Sequence, residues 1–186
     1  MDGSIKKVST LLAEKPNAVI GIDGCCASGK TTLASLLAKE FNAQVIHADD
    51  FFLPPEMRTR ERLLEAGGNI HYERFISEVV KGIKGGYDFE YGLFSCKEMR
   101  IISQKSVTAN KPIIIEGAYA LHPLIGEIYD LRVFVTVSPE TQLKRIEARN
   151  GADALKTYVS KWIPLENRYF SAFGIAEKCD MIITNE

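Results

Sequence analysis

The run Gly24-Cys25-Cys26-Ala27-Ser28-Gly29-Lys30-Thr31 fits the spacing G-x-x-x-x-G-K-[ST] at every position. Its chemistry is the capture of phosphate. Glycines let the backbone curl until successive N–H groups point inward, and a helix opening at the last glycine adds the positive end of its dipole. Lys30 then brings a full charge to the β- and γ-phosphates of a nucleotide, and the Thr31 hydroxyl is placed to ligate Mg²⁺. Gly24 to Thr32 are therefore the expected nucleotide-binding residues, with ATP and Mg²⁺ as cofactors.

Two carboxylates stand where they could act on that phosphate. Asp49, in Ala48-Asp49-Asp50-Phe51-Phe52, can take the proton from an attacking hydroxyl, or orient it, and lies near the metal. Glu116, with Gly117 behind it, is the second acid, expected to hold Mg²⁺ through water beside Thr31. Arg145 and Arg149 fall on one helix face at i, i+4. His47 and His122 have no partner at metal-ligand spacing and read as structural.

Positioning these groups requires a sheet with its working residues at one edge. Ala18–Ile22, Pro112–Ile115, Leu131–Val137 and Met181–Thr184 are short continuous apolar runs, the pattern of strands buried on both faces, and Gln44–His47 reads as a further strand. Leu33, Leu36, Leu37 and Phe41 recur with helical spacing, as do Phe75, Val79, Val80 and Ile83. Ser138-Pro139-Glu140 reads as cap, first residue and first-turn acid of a helix reaching Arg149. The alternation predicts a three-layer α/β/α fold with a mainly parallel sheet, in which ligands bind beyond the carboxyl ends of the strands. Residues 85–108 break the rhythm with glycines and aromatics and read as a hairpin excursion. Pro164 is expected to kink the helical segment around it, and Trp162, Tyr169 and Phe170 read as core.

Composition narrows the function. The chain has 186 residues, a net charge of −1, 46% hydrophobic and 25% charged residues, which fits one domain spanning 1–186. There is no global basic field for nucleic acid or an anionic membrane, and no stretch approaches the length of a membrane helix. A charged N-terminal segment without a signal-peptide core points to the cytoplasm. Cys25, Cys26, Cys96 and Cys179 read as reduced thiols, although a thiol beside a helix N-terminus can be acidified. A GTP switch needs N-K-x-D, and Asn110-Lys111-Pro112-Ile113 lacks the acid. Motor and assembly ATPases usually need a longer chain, which leaves a small-molecule kinase.

Taken together, Gly24 to Thr32, Asp49-Asp50-Phe51-Phe52, Tyr87-Asp88-Phe89, Glu116-Gly117 and the segment from Leu131 to Arg149 resemble the uridine kinase, nicotinamide riboside kinase and phosphoribulokinase group of P-loop kinases. The resemblance implies the P-loop NTPase fold and transfer of the γ-phosphate of Mg·ATP to a primary hydroxyl of a small nucleoside-like acceptor. It assigns the base to Asp49, metal support to Glu116, and a lid of about residues 145–158 in which Arg145 or Arg149 closes over the phosphoryl group. Tyr87 and Phe89 would line the acceptor pocket. Where uridine kinases carry a ribose-binding acid this chain has Asn69-Ile70-His71, so Asn69 and His71 become the sugar contacts. No histidine follows Tyr-Asp-Phe, which favours a nicotinamide riboside or other non-pyrimidine kinase as the alternative. A nucleotide-binding regulatory protein without transfer is the alternative from another class. No nucleic-acid or membrane partner is expected, and self-association is left open.

Overall fold

The computed structural model describes residues 2–186. Helix α1 (Asp2–Glu14) precedes strand β1 (Val19–Gly24), helix α2 (Lys30–Phe41) and strand β2 (Gln44–His47). Short 3₁₀ turns and helix α3 (Arg60–Leu64) lead to a continuous helix over residues 72–85, α4, with one wide π turn at Ile76–Val80. The antiparallel pair β3 (Phe89–Ser95) and β4 (Arg100–Val107) follows, then β5 (Ile113–Glu116) and β6 (Leu131–Thr136). Helix α5 (Pro139–Asn150), a second long helix over 152–173, α6, and strand β7 (Met181–Thr184) complete the chain.

The main sheet has the order β2-β5-β1-β6-β7, every pair parallel. All six residues of β1 and all four of β5 are buried, as continuous apolar runs require. Two cores flank the sheet. On one face Leu33, Ala34 and Leu37 of α2 and Val8 of α1 pack on Ile20, Ile22, Ile114 and Val133. On the other, Phe75 and Val79 of α4, Tyr91 of the hairpin and Tyr169 of α6 pack with Ile46, Ile115 and Phe134. Phe51 locks the hairpin down, stacking on Tyr91 at 5.4 Å and meeting Phe75 edge-on at 4.7 Å.

Register places the chemistry. His47 pairs with Glu116, Ile22 pairs with Glu116 from the other side, and Gly24 lies against Val135. The carboxyl ends of β1, β2 and β5 are thereby level, and the loops that leave them share one sheet edge. At Gly24 (φ 139°) a Cβ would lie 1.9 Å from the Val135 carbonyl oxygen, so only glycine lets the chain turn off the sheet there. Ser138 caps α5 through its hydroxyl and Pro139 occupies the first turn, as the sequence predicts.

The N-terminal segment adds an element to the predicted order, and the Pro164 segment departs from expectation. The N-terminal segment is helical, because Ile5, Val8, Leu11 and Leu12 gather on one face against the sheet while Lys6, Lys7 and Glu14 take the other. Pro164 does not interrupt α6. The wide turn Tyr158–Trp162 sits just before it, so the missing N–H falls in a new first turn where no intrahelical acceptor needs it. Among the described residues no helix is long and apolar enough to cross a membrane.

Candidate active site

A cavity of about 820 Å³ opens over the carboxyl edge of the sheet. Lys30 and Thr31 from the glycine-rich loop, Asp49 after β2, and Glu116 at the end of β5 all line it. Lys30 is buried, its Nζ donating to the carbonyls of Gly24 at 2.7 Å and Cys25 at 2.8 Å, which aims the charge across the loop it belongs to. The loop is braced from outside. Gln142 Nε2 donates to the Cys26 carbonyl at 3.0 Å, Asn185 Nδ2 to Ser28 O at 2.7 Å, and Arg145 Nη1 lies 3.4 Å from Ala27 O and 2.9 Å from Asn185 O.

The metal-side groups are already in contact. Thr31 Oγ1 donates to Glu116, 3.2 and 3.3 Å from its two carboxylate oxygens, and Glu116 is buried. Oxygen donors of this kind suit Mg²⁺, which takes one or two carboxylates and completes its shell with water and substrate phosphate. The donor set fits Mg·ATP, whose metal Thr31 and Glu116 would hold.

His47 belongs to this group and not to the core. Its Nδ1 lies 2.5 Å from Glu116 Oε1, and that hydrogen bond raises the imidazole above its usual range against the opposing pull of burial. Sequence spacing missed it because its partner is contributed by a neighbouring strand 69 residues away. Asp49 is open to the cavity yet enclosed by protein. Desolvation there, and then the Glu116 charge, lift its carboxyl above the usual aspartate range, while Lys30 and His47 pull it down.

Directly beneath the loop, Asp23 is fully buried and accepts four hydrogen bonds: from the N–H of Gly24 at 2.7 Å, of Tyr119 at 3.2 Å and of Leu121 at 3.0 Å, and from Tyr169 Oη at 2.8 Å. This one side chain ties the loop, the turn after Glu116 and α6 together. Asp23→Ala would strand those donors, at roughly 1–3 kcal/mol each, less whatever relaxation recovers. We expect a net loss of roughly 3–5 kcal/mol, read as a fall in melting temperature of roughly 10 °C; a melting point within 2 °C of wild type, about what 1 kcal/mol moves in a chain of this size, would refute the hub role. His122 is likewise structural: stacked on Tyr72 at 4.1 Å, with Nε2 at 3.1 Å from Ala66 O, it is pushed by burial down to about 4 and stays neutral.

Of the residues expected to contact the acceptor, Asn69 lines the cavity, but Tyr87, Phe89 and His71 do not. Tyr87 is exposed against Gly85, and Phe89 packs over Gly82 of α4. His71 Nδ1 caps α4, accepting from the Arg74 N–H at 3.3 Å, and also lies 3.1 Å from Glu73. Phe52, Arg58, Cys96, Met99, Tyr119 and Trp162 also line the cavity. Cys96 and Met99 come from the β3–β4 turn, so the tip of the hairpin, not its base, borders the cavity. Trp162, read as core, is only half-buried and faces the cavity. Burial raises both Cys25 and Cys26, the latter to about 12, so neither loop thiol is acidified. Arg145 and Arg149 both line the cavity; Arg149 is exposed, and its hydrogen bonds among the described residues go to Asn150 Oδ1 and Tyr158 Oη.

Residues 20–169 match the family model of the AAA domain. The chain is 28% identical to nicotinamide riboside kinase 2 of Mus musculus, over 70% of this chain and 67% of that protein. It is 24% identical to uridine kinase-like protein 3 of Arabidopsis thaliana, over 98% of this chain and 43% of that protein. It thus spans about two thirds of the first relative's length and less than half of the second's. The solved structure of a possible uridine kinase from Bacillus stearothermophilus superposes with a TM-score of 0.73 at 19% identity, covering 96% of both chains, a likeness of fold.

Proposed function

The chain belongs to the AAA domain family, and from that premise we propose that it is an ATP-dependent phosphotransferase, moving the γ-phosphate of Mg·ATP to a primary hydroxyl of a small nucleoside-like acceptor. One observation carries the reading: Lys30, Thr31, Glu116 and Asp49 line a single cavity that Asn69 and the aromatic side chains Phe52, Tyr119 and Trp162 also line. Lys30 and the loop N–H groups hold the phosphates, Thr31 and Glu116 hold the metal, and Asp49 receives the proton of the attacking hydroxyl. Residues 145–158 act as the lid. The names of the relatives support a nucleoside as acceptor. The name of one relative, nicotinamide riboside kinase 2, supports nicotinamide riboside as the alternative acceptor.

The test is turnover of Mg·ATP against uridine, cytidine, nicotinamide riboside, ribulose 5-phosphate and pantothenate, with Lys30→Ala as the blank. Turnover with a nucleoside, absent from the blank, is the expected result. Binding of ATP without transfer to any of the five would reject the nucleoside assignment and favour a regulatory nucleotide-binding protein.

The two lid arginines separate by their partners. Arg149, unattached to the loop, is the one free to reach the phosphoryl group, whereas Arg145 braces loop carbonyls. Arg149→Gln should therefore lower kcat by about 10²-fold or more with ATP affinity nearly unchanged. Arg145→Gln should weaken ATP binding first. Equal kcat for Arg149→Gln and wild type would remove Arg149 from the transfer.

A further inference from the structure

Asp49 sits in a single 3₁₀ turn, Ala48–Phe51, a form whose internal hydrogen bonds are poorly aligned. The turn is held from outside, by the start of α4. The His71 N–H donates to Phe51 O at 2.7 Å, and Arg74 Nη2 donates to the Asp50 carbonyl. The Arg74 guanidinium also lies over the Phe51 ring, its Cζ 4.4 Å from the centroid. The same guanidinium grips the hairpin. Its Nη1 donates to Gly92 O at 2.9 Å, while Glu78, one turn further along α4 and 3.7 Å from Arg74, accepts the Gly92 N–H at 2.9 Å. A Cβ at Gly92 would lie 2.9 Å from Nη1, so the glycine admits this grip. Arg74 is thus an enclosed cation, its side chain 10% exposed, whose two Nη groups span carbonyls of two different elements. Pairing with Glu78 alone would not need that span. Arginine's planar fork supplies it, whereas a lysine brings one point charge on a flexible stem.

We propose that Arg74 is a positioning residue for phosphoryl transfer: it acts through Asp49, by fixing the turn that carries this carboxyl against the hairpin whose tip borders the cavity. This rests on reading Asp49 as the base. Arg74 itself does not line the cavity, and the partners named above, Asp50, Phe51, Glu78 and Gly92, all lie outside the loop Gly24–Thr32. Its loss is therefore felt in the transfer and not in nucleotide binding. A misplacement of about 1 Å at reacting groups costs on the order of 10²-fold in rate, which sets the size of the expected effect.

The experiment measures transfer from Mg·ATP to the five acceptors of the panel above by wild type, Arg74→Ala, Arg74→Lys, Asp49→Asn and the double variant Arg74→Ala/Asp49→Asn. Each protein is assayed below its melting temperature, and its ADP affinity is taken by isothermal titration. Arg74→Ala should lower kcat/KM for the acceptor by about 10²-fold with ADP affinity unchanged within about twofold. Arg74→Lys keeps the charge but loses the fork, and should lower it by about tenfold; it also replaces Arg74→Ala in the double variant if the alanine protein does not fold. Added to Asp49→Asn, the Arg74 substitution should cost less than about threefold, because no base remains to be misplaced. Methylguanidinium should restore part of the activity of Arg74→Ala and none of that of the double variant. A merely structural role would lower the melting temperature and leave these rate ratios at unity. Equal kcat/KM for wild type and the Arg74 variants, the same loss in both backgrounds, or an equal loss of ADP affinity would overturn the proposal while leaving Asp49 as the base. Full turnover by Asp49→Asn, or no transfer by wild type to any of the five, would overturn that reading and the proposal together.

Discussion

Asp49→Asn should reduce phosphoryl transfer by about 10²–10⁴-fold, the usual worth of a positioned general base, with Mg·ATP affinity changed by less than twofold. The separation follows from where the group acts. Lys30 Nζ is hydrogen-bonded to the Gly24 and Cys25 carbonyls and not to Asp49, whose proton-accepting role is felt only as the hydroxyl attacks. The same substitution should stabilise the ligand-free protein. A carboxyl whose folded value is raised favours its neutral form in the fold, so its contribution is present at low pH and is lost as pH rises through that raised value. A permanently neutral Asn avoids that loss near neutrality, and the melting temperature should rise. In wild type, kcat/KM should climb with pH through a value above that of an ordinary aspartate, and the climb should vanish in the residual activity of the variant. Full turnover by Asp49→Asn would remove Asp49 from the reaction.

Lys30→Ala should lower kcat/KM by about 10²–10³-fold, the cost of losing one preorganised charge aimed at the reacting group. Unlike Asp49→Asn, it should weaken nucleotide binding as well, because Lys30 meets the phosphates in the ground state. A structural cost accompanies the catalytic one, since the carbonyls of Gly24 and Cys25 lose their shared donor. Binding of ADP by isothermal titration separates the two effects. If Lys30→Ala binds ADP as wild type does, the cradle assignment fails.

Charge, hydropathy and local spacing settled a good deal before any contact was known. The glycine-rich loop is legible because its chemistry is local: glycines, one lysine and one hydroxyl must be close in the chain to curl round one phosphate. The continuous apolar runs at β1, β5 and β6 report two-sided burial directly, so the parallel sheet and its ligand-bearing edge follow from the same pattern. Asp49 and Glu116 were found as acids that end such runs, and the fold brings both to the edge the sheet predicts.

What tertiary structure alone decided is every relation between elements distant in the chain. His47 read as structural because nothing near it in sequence could pair with it, whereas strand register sets it against Glu116. The sequence points to Tyr87 and Phe89 as pocket residues, whereas the hairpin register and the packing of Phe89 on Gly82 leave them outside the cavity, which Cys96 and Met99 of the turn line. Asp23 and Glu166 carried no motif. Asp23 is a hub and Glu166 a partner of the Cys26 N–H only because α6 returns to the loop after β1, 146 residues later for Tyr169 on Asp23 and 140 for Glu166 on Cys26. Periodicity reports which face of an element is buried, through the free energy of removing apolar surface from water. It holds no information on which partner covers that face, and in this protein the partner decides which carboxylates carry chemistry and which only hold the fold.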